Sequence, residues 1–273
     1  MSPSTETREN REFASEVKFL VPRSLADRIH DWARERLAPD PHSSADLGDG
    51  YRITSLYFDT ERFDVFHRNG SYGRSKYRIR RYGPSEVAFL ERKLKTRGLV
   101  SKRRSIVEVG ALERLNAAAP DRGWPGFWYH QRLLARSLRP VCEIAYRRTA
   151  LVSMTNTGPI RLTMDEDIRA VVASRLAFDT ASTGLLLSQD QIIVELKFRV
   201  EMPALFKQLA DEFGLAPKAV SKYRLAAVAL GLVKEKEAEA ANPVVVEKES
   251  GTSLASQPPS SAAVAEGKQA SSV

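Results

Sequence analysis

Cysteine is almost absent from this chain of 273 residues: Cys142 is the single one, which excludes an internal disulfide and any cysteine-based zinc site. It reads as a plain core residue, because a buried free thiol behaves as a small hydrophobe. Histidine is also scarce. His30, His42, His67 and His130 stand at no motif spacing, so neither a phosphohistidine nor a histidine metal site is indicated. No glycine-rich nucleotide loop is present, and any phosphate site must be built some other way. No stretch approaches the ~18 consecutive apolar residues of a membrane span, and the first residues, MSPSTETRENREF, lack the apolar run of a secretion signal. A protein without an integral membrane segment, in a reducing cytoplasmic compartment, is the expectation.

Acid is missing where base is dense. Between Arg74 and Arg104 only Glu86 and Glu91 offset twelve lysines and arginines, and the chain as a whole carries a formal charge of +8. Such an excess calls for an anionic partner. The pattern says more than the count. Lys76, Arg78 and Arg80 alternate with Tyr77 and Ile79, and Glu91, Lys93 and Lys95 repeat the spacing of two, which places each set on one face of a strand. The same design recurs in Glu16 and Lys18, in Arg161, Thr163 and Asp165, and in Glu195, Lys197 and Arg199. One such strand is ordinarily a solvent face opposite a core. At least five of them predict a shared wall of cations, which repel one another unless a polyanion sits among them.

The strand-like runs are Glu12 to Leu20, Tyr51 to Phe58, Lys76 to Tyr82, Val87 to Lys95, Lys102 to Val109, Arg139 to Ser153, Ile160 to Asp165 and Ile192 to Arg199. Helical stretches are expected at Pro22 to Leu37, with Leu25, Ile29 and Trp32 as its apolar stripe, at Asp59 to Arg68, Pro125 to Leu138 and Pro203 to Phe213, and at Pro217 to Leu230 with Val220, Leu225 and Val228. These predict an α+β fold: an eight-stranded antiparallel β-barrel with helices packed outside. Hydrophobic content of 42% suffices for one core. Residues 1–10 and 234–273 have the composition of disordered tails, which leaves a folded body over 11–233.

Glu16, Glu91 and Glu195 each stand two residues before a lysine. Carboxylates amid cations suggest a divalent metal, and Mg²⁺ or Mn²⁺ commonly takes one or two carboxylates with phosphate oxygens and water. Arginine forks and lysine point charges on the same wall suit a chain of phosphates. Nucleic acid is disfavoured, because its binders interleave stacking aromatics with the cations, and Tyr77, one of the tyrosines at 72, 77 and 82, faces away from them.

In order, SEVKF, SLYFDT, KYRIRRYG, FLERKLK, SKRRS, YRRTAL, IRLTMDED, VELKF followed by MPALF, and SKYRLA resemble the VTC domain of the triphosphate tunnel metalloenzyme (CYTH-like) superfamily over about residues 11–230, in a short form similar to bacterial stand-alone members. The resemblance implies an eight-stranded tunnel for triphosphate or polyphosphate. It also implies synthesis of polyphosphate from the terminal phosphate of ATP with a manganese ion's help, and hydrolysis of the same substrates or binding without turnover are the rival readings. Motif by motif it implies that Lys18, Arg78, Arg80, Lys93, Arg148 and Arg161 grip the phosphates and carry catalysis. Lys102 or Arg103 fills the next basic position in SKRRS, the register between them being open, and Lys222 lies near a tunnel mouth. Glu195 matches the metal-binding glutamate. Lys76, Lys95 and Lys197 join the phosphate set by alternation, and Glu16 and Glu91 join the metal set. Glu143, Asp165 and Arg224 are further tunnel candidates, whereas Arg81, Arg92 and Arg97 are expected to face outward.

Overall fold

The computed structural model describes residues 15–41, 43, 49–72, 75–96, 99–178 and 183–234. The tail expected at 1–10, the tail expected at 234–273 apart from Lys234, and Arg97 lie outside the described residues.

Eight long or medium strands form where alternation predicted them: β1 (Ser15–Pro22), β3 (Gly50–Asp59), β4 (Ser75–Tyr82), β5 (Val87–Thr96), β6 (Leu99–Glu108), β7 (Arg139–Thr155), β8 (Gly158–Val172) and β10 (Gln191–Phe198). Two two-residue strands, β2 (Ala38–Pro39) and β9 (Leu185–Leu186), are too short to show a period and are additions. The helices are α1 (Arg23–Arg34), α2 (Asp64–His67), α3 (Phe127–Ala135), α4 (Ala204–Glu212) and α5 (Lys222–Ala229).

Every pairing is antiparallel, in the order β1-β10-β8-β7-β3-β4-β5-β6, with β2 on β7 and β9 on β8. The closed eight-stranded barrel expected from the sequence is therefore corrected. The sheet has ten strands among the described residues, and no ladder joins its edges β1 and β6. The inward rows near that seam carry long charged side chains, and the gap is spanned by an ion pair, Lys93 Nζ on β5 to Glu16 Oε2 on β1 at 2.5 Å.

Two apolar layers cover the outer face. Under α1 and α4, Phe19, Val194, Leu196 and Leu162 pack with Ile29, Trp32 and Phe206. Under α3 and the 3-10 turns at Val109–Asn116, Leu56, Phe58, Tyr77, Ile79 and Leu90 pack with Tyr129 and Leu112. Cys142 lies fully buried in that second layer. The helix α1 buries Ala26, Ile29, Trp32 and Ala33, a stripe at helical spacing. In α5 the buried residues are Tyr223, Ala226 and Ala227, and Leu225, expected in the stripe, is 38% exposed. That helix starts later than predicted, at Ser221, whose hydroxyl accepts from the Arg224 amide as an N-cap.

Candidate functional site

The register decides which charges meet. Lys18 stands opposite Glu195, and Glu16 opposite Lys197. Arg78 faces Glu91 and Lys76 faces Lys93, while Glu91 faces Arg104 and Lys93 faces Lys102. Arg148 faces Asp165. Because residues opposite one another share a face, these rows all lie on the side away from the apolar layers. They line a cavity of about 180 Å³ whose wall carries eleven lysines and arginines against two carboxylates, Glu16 and Glu195.

The cations are held in three ways. Two carboxylates with no exposed surface organise five of them. Glu91 accepts from Arg78 Nε at 2.7 Å, from Lys102 Nζ at 3.2 Å and from Arg104 Nη2 at 2.6 Å. Asp165 takes Arg148 in a bidentate fork at 2.6 and 2.7 Å and also accepts from Lys222. A second group meets the carboxylates on the wall, Lys18 to Glu195 at 3.2 Å and Lys93 to Glu16 at 2.5 Å. Three more lean on hydroxyls. Arg80 reaches Ser55 Oγ at 3.2 Å and Tyr146 OH at 2.9 Å, and Lys76 reaches Ser221 Oγ at 2.8 Å. Arg161 combines Tyr51 OH with Asp40, each at 2.6 Å. Its Nε and the Thr163 hydroxyl beside it are buried without a hydrogen-bond partner, polar atoms of the kind a bound ligand satisfies.

Burial and crowding set the protonation states. Burial pushes Glu91 up, but Arg78, Arg80, Lys102 and Arg104 outweigh it and hold the carboxyl well below its usual range. Glu195 is likewise held low, by Lys18, Lys93, Arg148 and Lys222 against its burial. Asp165 is brought to about 2 by Arg148 and Lys222 against the same opposition. Burial brings Lys102 and Lys222 down to about 8, partly offset by Glu91 and Asp165 respectively. Lys76 falls well below its usual value through burial and then through Lys18, Lys93, Arg78 and Arg68. Tyr82, raised by burial, is brought to about 8 chiefly by Arg80 and Arg104.

The structure brings Lys18, Lys76, Arg78, Arg80, Lys93, Lys102, Arg148, Arg161, Lys197 and Lys222 onto one cavity. Arg103 is not on it. Its register partner is Arg92, and its guanidinium lies 4.4 Å over the Trp128 ring on the outer face, so in SKRRS the inward residues are Lys102 and Arg104. Glu91 is absent from the cavity wall because three cations enclose it. Among the described residues no group of three or more His, Cys, Asp or Glu gathers as a metal cluster. Glu143 and Arg224 do not line the cavity; Arg224 donates to the Phe66 carbonyl at 2.5 Å. Arg81 turns back to the Pro84 and Ser85 carbonyls of its own hairpin. The side chain of Lys95 lies outside the described residues. Sequence reasoning missed Arg104, Tyr57, Tyr82, Tyr146, Ser221 and Tyr223 as lining residues. The period of two continued from Lys102 would have found Arg104.

The sequence model of the VTC domain family matches residues 13–230. This chain belongs to the VTC domain family. No curated protein matches it. Among solved structures, the VTC domain here is similar to an adenylate cyclase candidate from Bacillus halodurans, at 15% identity, 77% of this chain, 94% of that one and a TM-score of 0.48. It is also similar to an adenylyl cyclase candidate from Hippeastrum whose dominant activity is a triphosphatase one, at 16% identity, 82% and 98% coverage and a TM-score of 0.44. No helix among the described residues of the VTC domain is long and apolar enough to cross a membrane.

Proposed function

We propose that this VTC domain transfers phosphoryl groups within its cationic cavity, taking the terminal phosphate of ATP onto phosphate or the end of a growing polyphosphate chain. The observation that carries this reading is the wall of eleven cations facing two carboxylates. The carboxylates paired with it, Glu16, Asp40, Glu91, Asp165 and Glu195, offset fewer than half of these charges, and the excess suits a row of phosphates. Aromatic side chains at the cavity are already engaged, Tyr57 with Tyr223 at 5.4 Å and Tyr82 with Phe89 at 5.3 Å, which disfavours base stacking by nucleic acid.

In the transfer an oxygen of the acceptor phosphate attacks the γ-phosphorus. The bond from that phosphorus to the β–γ bridging oxygen breaks, and ADP leaves with the electron pair. The protein's part is alignment and charge neutralisation. Arg78 and Arg148, fixed by Glu91 and Asp165, present preorganised forks. Arg80 and Arg161 offer guanidinium groups with hydroxyl partners. Lys18 and Lys93 exchange Glu195 and Glu16 for phosphate oxygens, which frees both carboxylates. Glu195 and Glu16 are hard oxygen donors on the paired strands β10 and β1, a set that fits a cation taking most of its shell from phosphate and water. Mn²⁺ or Mg²⁺ held there would neutralise phosphate charge in the transition state.

The open edge between β1 and β6 favours one second reading, in which water replaces the acceptor and the products are ADP, or diphosphate, and free phosphate. Incubation with ATP and Mn²⁺, with products resolved on a gel, tests both. Long-chain polyphosphate with matching ADP supports the polymerase, and free phosphate alone supports the hydrolase. ATP that binds without any turnover would refute an enzyme of either kind.

A further inference from the structure

Asp59, at the end of β3, has no exposed surface, and among the described residues no ion pair to a cation forms on it. Its carboxylate is instead saturated by neutral donors. Oδ1 accepts from the amides of Thr60 at 2.7 Å and Val65 at 2.8 Å, and Oδ2 accepts from the Phe66 amide at 2.9 Å and from the Tyr223 hydroxyl. A fully buried carboxylate that is not paired with a positive charge is costly, and three fixed amides with one phenol make it tenable. The amides order the turn at α2. The phenol belongs to α5.

Three consecutive residues of α5 divide their work. Lys222 enters the cavity, donating to Asp165 and lying 4.7 Å over the Tyr146 ring. Tyr223 goes to Asp59, with its ring stacked on Tyr57 at an interplanar angle of 13°. Arg224 reaches the Phe66 carbonyl and covers the Phe66 ring at 4.2 Å. The seat of α5 is thus held from the end of β3 and from α2 as well as by the Lys222–Asp165 pair.

We propose that Asp59 is a positioning residue that, through the Tyr223 hydroxyl, seats α5 so that the Lys222 ammonium meets a bound phosphate. This rests on the reading of the cavity as a polyphosphate site. It differs from a packing role because Tyr223→Phe keeps the ring against Tyr57 and Phe66 and removes only the hydroxyl.

Two measurements on the full chain decide it. Reductive methylation of the ligand-free protein, followed by mass spectrometry, reads the accessibility of Lys222, and calorimetry with tripolyphosphate reads affinity. Tyr223→Phe is expected to raise the Lys222 labelling rate several-fold. It is also expected to weaken tripolyphosphate binding roughly five- to tenfold, the scale of one buried hydrogen bond, and to weaken it no further when Lys222→Ala is already present. Asp59→Asn should shift labelling the same way. Ile29→Val, in the separate layer under α1, lowers stability and should leave Lys222 labelling unchanged. Unchanged labelling in Tyr223→Phe, an equal rise in Ile29→Val, or a loss of affinity that adds fully to that of Lys222→Ala would overturn the proposal. Wild-type protein that fails to bind tripolyphosphate would overturn the polyphosphate reading instead, and the labelling comparison would still decide the seating of α5.

Discussion

Glu91→Gln separates two meanings of one residue. As a metal ligand, the role its sequence position suggested, Glu91 should contribute little to the stability of metal-free protein. The structure makes it the counter-anion of Arg78, Lys102 and Arg104, at 2.7, 3.2 and 2.6 Å, with no exposed surface. Glutamine removes the charge and turns an amide donor toward cations that are themselves donors. Breaking a buried ion pair from one side costs about 3–5 kcal/mol. At this size a change of one kcal/mol moves the melting temperature by about 2–4 °C, so the metal-free variant should melt roughly 6–20 °C below wild type. Tripolyphosphate supplies the missing anion, and at equal concentrations it should raise the melting temperature of Glu91→Gln by more than that of wild type, since a ligand stabilises in proportion to how well it binds the folded state. Thermal melts with and without tripolyphosphate, and with and without Mn²⁺, are the assay. A metal-free fall smaller than about 2 °C, together with loss of metal-induced stabilisation, would refute the counter-anion argument and restore the metal assignment.

Glu195→Gln is expected to lose metal-dependent turnover of ATP while still binding tripolyphosphate, since it removes a carboxylate and no cation; normal turnover in this variant would sink the metal assignment. Arg104→Ala should weaken tripolyphosphate binding roughly tenfold, as loss of a charge-assisted contact does, whereas Arg103→Ala, whose side chain lies over Trp128, should stay within about twofold; calorimetry on the pair checks the register of β6. Lys102 and Lys222 lose their protons near pH 8, so tripolyphosphate affinity should fall roughly ten- to thirtyfold between pH 7 and 9, at about 1 kcal/mol for each ammonium–phosphate contact. For folding the sign is opposite. The unfolded chain holds these two protons up to its ordinary lysine pKa, so between about pH 8 and 10.5 it binds more protons than the folded state, and the contribution of both lysines to stability rises with pH. An affinity flat from pH 7 to 9 would show that neither amine meets the ligand.

How far the sequence carried is best judged strand by strand. Alternation is a local property, and it placed Lys18, Arg78, Arg80, Lys93, Arg148 and Arg161 on one wall because each strand must turn its apolar side to the helices. It could not place Arg103, since SKRRS puts three cations in a row and only the pairing of Glu91 with Arg104 decides which of them turn inward. Nor could it rank the glutamates. Glu16, Glu91 and Glu195 share a spacing, yet Glu91 is enclosed by Arg78 on β4 and by Lys102 and Arg104 on β6, while Glu16 and Glu195 stay on the cavity surface. Closure of the sheet was illegible for the same reason: whether its two ends zip together depends on side chains contributed by strands distant in sequence, here Lys93 on β5 and Glu16 on the edge strand β1, 77 residues apart. That seam is also where function and fold compete. On the proposed reading the Lys93 ammonium, which links β5 to the edge strand β1, is one of the groups a phosphate claims, so occupying the cavity would loosen that clasp, and the carboxylate released, Glu16, would become available on the same wall as Glu195. Phosphate binding and completion of a metal site would then be coupled through one ion pair, and each should strengthen the other by the same factor.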